Sequence, residues 1–163
     1  MIMSPIQTTD AKPLLNKSNP FGANPSLYAG IKFNGQQLKG HEGIDIVVPT
    51  GTLVFAPIEG VVTVVDSGKT GYGLHVIITN DRFKIYLGHL SEVFVKSGDF
   101  VPLLNKLAKS GNSGHSSGAH LHMTVLRMRD GRIQNVDNGY GGAIDVTEFI
   151  ATWKGSLTKD LIL

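Results

Sequence analysis

The chain has 163 residues, Lys+Arg 15 against Asp+Glu 13, and no cysteine. That length suits one domain around one core. The missing cysteines exclude disulfides, thiolate nucleophiles and Cys-ligated zinc. The near-balanced charge, with no basic cluster longer than two adjacent residues, leaves no nucleic-acid footprint.

Residues 1–20 carry Pro5, Pro13 and Pro20 among scattered polar residues and are expected to form an extended N-terminal arm. They show neither a basic leader nor the apolar run of a secretory signal, so export by the classical route is not expected. No stretch approaches the ~20 apolar residues of a membrane span. A single domain is expected over 21–163, acting as a monomer.

Glycine makes up 20 of the 163 residues, about 12% against a usual ~7%, and favours a turn-rich β protein when combined with many Val, Ile, Leu and Thr. Short apolar runs cut by Gly, Pro, Asn and Asp predict strands at Ile44–Val48, Thr52–Ala56, Gly60–Val65, Leu74–Thr79, Phe83–Leu87 and Leu121–Met128. Asp130-Gly131 predicts a hairpin turn after the last of these. His75 alternates with Leu74 and Val76 and is expected to face outward. A short C-terminal helix is predicted from a capping box at Asp145 and Glu148, with Val146, Phe149, Ile150 and Trp153 on one face. The fold class is mostly β, an antiparallel β-sheet assembly ending in that helix.

Two apparent motifs fail on context. Ser67-Gly68-Lys69-Thr70 resembles the tail of a phosphate-binding loop, but Thr63 stands where that loop needs its first glycine, and a strand follows rather than a helix. Gly114-His115-Ser116-Ser117-Gly118 has G-x-S-x-G spacing without the strand before it and the helix after it that a nucleophile elbow requires.

Six histidines in a cysteine-free chain are the informative residues. His120-Leu121-His122 opens an apolar strand, and residues two apart on a strand share one face at roughly 6.5–7 Å. Two imidazoles so placed can converge on one metal, or one can ligate while the other acts on a bound water. His41-Glu42-Gly43-Ile44-Asp45 is the second cluster. Positions four apart on a straight strand lie ~13 Å from each other, but Gly43 permits a bend that brings His41 toward Asp45. Glu42 is a competing ligand whose odd offset points it away from the side of Asp45. His89 closes a third segment, Tyr86-Leu87-Gly88-His89-Leu90.

In order along the chain these segments resemble the LytM/lysostaphin-type zinc metallopeptidases that cleave peptidoglycan. The resemblance rests on Phe21-Gly22, His41-x-x-x-Asp45, Val54–Ala56 with Gly60-Val61-Val62, Gly71-Tyr72-Gly73 and Tyr86…His89-Leu90. It continues through Gly98-Asp99, Ser110-Gly111-Asn112-Ser113-Gly114, Ser117-Gly118 and His120-Leu121-His122, covering about residues 20 to 149. It implies two packed sheets, one zinc held by His41, Asp45 and His122, and catalytic histidines His89 and His120. His120 is then assigned mainly to the water and His89 mainly to the oxyanion.

The implied activity is metal-assisted hydrolysis of peptide bonds in peptidoglycan. Loops at 22–41, 66–73 and 110–119 would wall the groove, with Tyr72, Asn112 and His115 as candidate substrate contacts. Ala119 stands where the family often has Pro, Met123-Thr124 where Phe-Glu is frequent, and Asn24 where an Arg is common nearby. Leu104-Asn105-Lys106 replaces a usual Gly-Gln turn. These departures bear on substrate preference and leave all five site positions intact. The competing readings are a non-catalytic wall-binding or amidase-regulating module of the same fold, and a lipoyl-type carrier, which lacks its modifiable lysine. A bacteriophage origin is a further expectation, from the compact catalytic unit.

Overall fold

The computed structural model describes residues 2–6 and 14–147. Its strands in chain order are β1 (Leu14–Leu15), β2 (Lys32–Phe33), β3 (Gln36–Gln37), β4 (Ile44–Val47), β5 (Leu53–Phe55), β6 (Gly60–Asp66) and β7 (Leu74–Thr79). They continue as β8 (Phe83–Gly88), β9 (Leu90–Val93), β10 (Phe100–Val101), β11 (Lys106–Ser110), β12 (Leu121–Arg129) and β13 (Arg132–Ile133). The large sheet runs β1-β4-β12-β8-β7-β6-β10, with β13 paired to β12, and a second sheet runs β5-β11-β9. Every pairing is antiparallel. The mostly β, antiparallel expectation holds. The predicted C-terminal helix lies almost wholly outside the described residues; at its start, Asp145 Oδ1 accepts the Thr147 amide at 2.9 Å.

The core lies between the two sheets. Ile44, Ile46, Val76, Ile78, Leu121, Met123 and Val125 from the large sheet meet Val54, Leu90, Leu107 and Ala108 from the small one. Side chains alternate across a strand, so the residues between these point the other way. On β4 that sends Asp45 to the opposite face, and on β12 it sends His122, Thr124 and Leu126 there. A second, smaller apolar cluster of Tyr86, Leu126 and Ala143 covers part of that face, with Phe33, Tyr72 and Tyr140 packed on it.

His75 shares this face and does not point to solvent as its alternation suggested. It is 6% exposed, its Nδ1 lies 2.8 Å from the Gly73 carbonyl, and Tyr72 and Tyr86 flank its ring. Alternation distinguishes the two faces of a strand, but a loop can cover the outer one.

Three short strands, β1, β2 and β3, arise before the first predicted one. Between β2 and β3, Asn34 and Gly35 have φ of 48° and 79°, the left-handed pair of a tight hairpin turn for which Asn-Gly is the strongest sequence signal. That hairpin brings Phe33 over Tyr72 and Tyr86. Residues of the N-terminal segment also contact the body: Met3 N donates to Pro57 O, Phe55 N to Pro5 O and Asn16 N to Asp45 O, while β1 pairs with β4.

Candidate metal centre

β4 and β12 set the site. Their register places Asp45 directly opposite His122, and on its other side His122 faces Gly88 of β8. His41 enters from the loop before β4. Its Nε2 lies 3.1 Å from His122 Nδ1 and 3.4 Å from Asp45 Oδ1. The third edge, His122 Nδ1 to Asp45 Oδ1, is 3.0 Å. All three residues are buried.

The other nitrogen of each ring is already committed. His41 Nδ1–H donates to the Asn19 carbonyl at 2.8 Å, and His122 Nε2 lies 2.7 Å from Thr124 Oγ1. His41 Nε2 and His122 Nδ1 are the ring atoms that face each other and the Asp45 carboxylate. Stripped of their protons, three such atoms in a buried place repel unless a cation joins them. Ligands of a tetrahedral zinc at ~2.0–2.1 Å stand about 3.3 Å apart, and edges of 3.0–3.4 Å fit that spacing. The donor set of two imidazoles and one carboxylate suits zinc equally well.

Asp45 is the electrostatic hub. Burial pushes its carboxyl up, but the His122 and His41 rings packed against it outweigh this and hold it well below the usual carboxylate range. Burial likewise lowers His41, and contact with Asp45 more than reverses it. Asn19 Nδ2 donates to Asp45 Oδ2 at 2.9 Å, so one residue of the N-terminal segment supports two of the three clustered side chains.

His120 and His89 stand on the open side. His120 Nδ1–H donates to the Gly118 carbonyl at 2.8 Å, leaving Nε2 free at 3.5 Å from Asp45 Oδ1. His89 Nδ1–H donates to Ser113 O at 2.7 Å, and its ring lies 4.6 Å from that of His120, centroid to centroid. Burial, then the neighbouring His122, pushes His89 down to about 4. Its backbone is held at φ 60°, where the chain leaves β8 in the large sheet for β9 in the small one. A left-handed non-glycine residue costs of order 1–3 kcal/mol, and such strain concentrates at functional positions.

A groove of about 590 Å³ opens over His89 and His122. The three predicted loops supply its walls, through Tyr28 and Phe33, through Tyr72, and through His115 and Ser116. Gly73 and Gly114 hold two of these loops together, because a Cβ on either would lie 2.3 Å from the other's backbone nitrogen. Of the candidate substrate contacts, Tyr72 and His115 line the groove; Asn112 is exposed and does not. The Tyr72 hydroxyl is bonded to Glu42 Oε1 at 2.5 Å, and burial, with the Glu42 charge beside it, pushes its pKa well above the phenol range. Glu42 lies across the His122 ring from Asp45, with Oε1 3.8 Å from Nε2, in line with its odd offset. Thr124 lies two residues beyond His122 on the same face of β12, and Asn19 is brought to Asp45 by the pairing of β1 with β4; neither is singled out as a site residue by the sequence.

The model of Peptidase family M23 matches residues 39–145, well over half of the chain, and the chain belongs to that family. It is 38% identical over 87 residues to an uncharacterized metalloprotease of Haemophilus influenzae, covering 53% of this chain and 18% of that protein. It is 35% identical over 86 residues to the peptidoglycan DD-endopeptidase ShyB of Vibrio cholerae, covering 53% and 20%. The match thus spans about a fifth of the length of these relatives. Among solved structures, the catalytic domain of the prophage-encoded M23 protein EnpA from Enterococcus faecalis superposes with a TM-score of 0.59 at 29% identity, over 83% of this chain and 96% of that one. The catalytic domain of lysostaphin from Staphylococcus simulans gives 0.55 at 26%, over 74% and 84%. The resemblance to lysostaphin-type peptidases is borne out, and peptidoglycan endopeptidases are among the relatives.

Proposed function

We propose that this chain is a zinc-dependent endopeptidase that hydrolyses peptide bonds of peptidoglycan, with His41, Asp45 and His122 as metal ligands and His89 and His120 as catalytic residues. The observation that carries this reading is the convergence of two imidazole nitrogens and a carboxylate oxygen at 3.0–3.4 Å beneath an open groove. Zinc bound there would lower the pKa of its water toward ~7 and polarise a carbonyl.

The chain's own residues supply the rest. With Nδ1–H given to Gly118, His120 has Nε2 free to take the water's proton and return it to the leaving amine. His89 is neutral at pH 7 and enters with Nε2 unprotonated. To face a developing oxyanion as a donor it must take a proton on Nε2 from solvent in the open groove and return it there when the product leaves. The groove walls position the peptide, with Tyr72 and His115 as contacts. Likeness to a prophage-encoded catalytic domain, covered almost end to end, supports a bacteriophage origin.

Clearing of purified peptidoglycan suspensions tests the activity. The wild type is expected to clear them, to stop with chelator and to resume with zinc, while His120→Ala retains zinc and fails to clear. Clearing that persists under chelation would overturn the metal-dependent reading.

A further inference from the structure

Four buried or half-buried polar side chains run in one line along the outer face of the large sheet, from the metal centre to Glu42. His122 Nε2 lies 2.7 Å from Thr124 Oγ1, which lies 3.2 Å from the Tyr72 hydroxyl, which lies 2.5 Å from Glu42 Oε1. The direct distance from Glu42 Oε1 to His122 Nε2 is 3.8 Å, too long for a hydrogen bond, so the two hydroxyls bridge it.

The carboxylate end sets the direction of every bond. A carboxylate oxygen only accepts, so Tyr72 donates to Glu42. With its one proton spent, Tyr72 accepts from Thr124, and Thr124 in turn accepts from His122 Nε2–H. The line therefore places the His122 proton on Nε2 and leaves Nδ1 bare, and Nδ1 is the atom that faces Asp45 and His41.

Glu42 is 6% exposed, and its Oε2 is the one buried side-chain nitrogen or oxygen among the described residues without a partner. A carboxylate kept buried and half satisfied is costly to the fold. Packing alone would be served better by an apolar side chain.

We propose that Glu42 is a positioning residue for metal binding, which acts through Tyr72 and Thr124 to fix His122 in the tautomer and orientation that present Nδ1 to the metal. The inference rests on the reading of His122 as a metal ligand. Groups that orient a ligand in this way typically contribute 10–100-fold to metal affinity.

The test uses the full chain, with zinc affinity measured by competition with a chromophoric chelator. Thr124→Val keeps the shape but removes the acceptor, Tyr72→Phe cuts the middle of the line, and Glu42→Leu removes its end. Each is expected to weaken zinc binding by about 10–100-fold. Thr124→Ser and Glu42→Gln, which each retain an acceptor, should recover most of the loss. The Thr124→Val/Tyr72→Phe double variant should be little worse than Thr124→Val, because the line is already broken.

Imidazole nitrogen NMR of the metal-free proteins gives a readout that a purely structural role would not move. His122 should carry its proton on Nε2 in the wild type and a mixture of tautomers in Tyr72→Phe. Affinities within about threefold of wild type in both Thr124→Val and Tyr72→Phe, or an unchanged tautomer, would overturn the proposal. A wild type that holds no zinc, or a His122→Ala variant that holds it as tightly, would instead overturn the ligand assignment beneath it.

Discussion

Gly43 is the residue between the two halves of the metal centre, and replacing it by alanine is a sharp test of the geometry. A Cβ there would lie 2.6 Å from the Met123 carbonyl oxygen and 2.7 Å from both Cε1 and Nε2 of His122. An ordinary contact begins at 3.4 Å, so about 0.8 Å must be found. β12 cannot supply it, because Met123 pairs with Ile44 on one side and Leu87 on the other. The ring of His122 or the His41–Asp45 segment must move instead. Metal–ligand distances tolerate about ±0.2 Å, so a displacement of that size at one corner of a triangle with 3.0–3.4 Å edges removes a ligand. Gly43→Ala is expected to lower the stability of the metal-free fold by about 1–3 kcal/mol and to weaken zinc binding by at least about 100-fold. Denaturant unfolding and chelator competition measure the two effects. Gly118→Ala is the control, since a Cβ there meets nothing within 4 Å. Gly43→Ala protein that binds zinc within threefold of wild type and unfolds at the same denaturant concentration would refute the close-approach argument.

Three further outcomes follow from the same contacts. Asn19→Ala removes the donor to Asp45 Oδ2 and should weaken zinc binding by about tenfold; unchanged affinity in the competition assay would remove Asn19 from the support of the site. Zinc at about 1,000 times its dissociation constant should add about 4 kcal/mol to the unfolding free energy of the wild type and nothing to that of His41→Ala, as calorimetry would show; equal gains would place the zinc elsewhere. Because burial and His122 hold His89 near 4 in the fold, against an ordinary 6.5, the unfolded chain binds that proton more readily. The neutral ring therefore costs the metal-free protein nothing above about pH 6.5 and up to about 3 kcal/mol as the pH falls toward 4. Unfolding of metal-free His89→Gln across pH 7.5 to 4 should lack this loss, and a wild-type-to-variant difference that stays constant with pH would contradict it.

The strands that carry the site were legible because their periodicity is clean. Ile44–Val47 and Leu121–Arg129 alternate core and site residues, so the predicted ranges differ from the observed ones only at their ends. The predicted hairpin at Asp130-Gly131 likewise appears, as Arg129 pairs with Arg132. β9 and β11 were not predicted, since Leu90–Val93 and Lys106–Ser110 are short and interleave polar residues with few apolar ones. Their pairing is decided by Leu90, Leu107 and Ala108 entering the core, a long-range fact no local window contains. The Asn34-Gly35 hairpin did have a local signal in the dipeptide itself. At the site, spacing could associate His41 with Asp45 through a bend at Gly43. It could not show that Asn19 reaches back to Asp45, or that Thr124 and Tyr72 connect His122 to Glu42. Those contacts come from cross-strand register and from a loop folded over the outer face, which also explains why His75 is buried.

The most direct measurement is mass spectrometry of the fragments released from purified peptidoglycans of several cross-bridge types, with His122→Ala and a chelated sample alongside. New amine termini at one class of peptide bond are expected, present with the zinc-loaded wild type and lost in both controls. Intact peptide bonds in every wall type, from protein shown to hold zinc, would contradict the proposed activity.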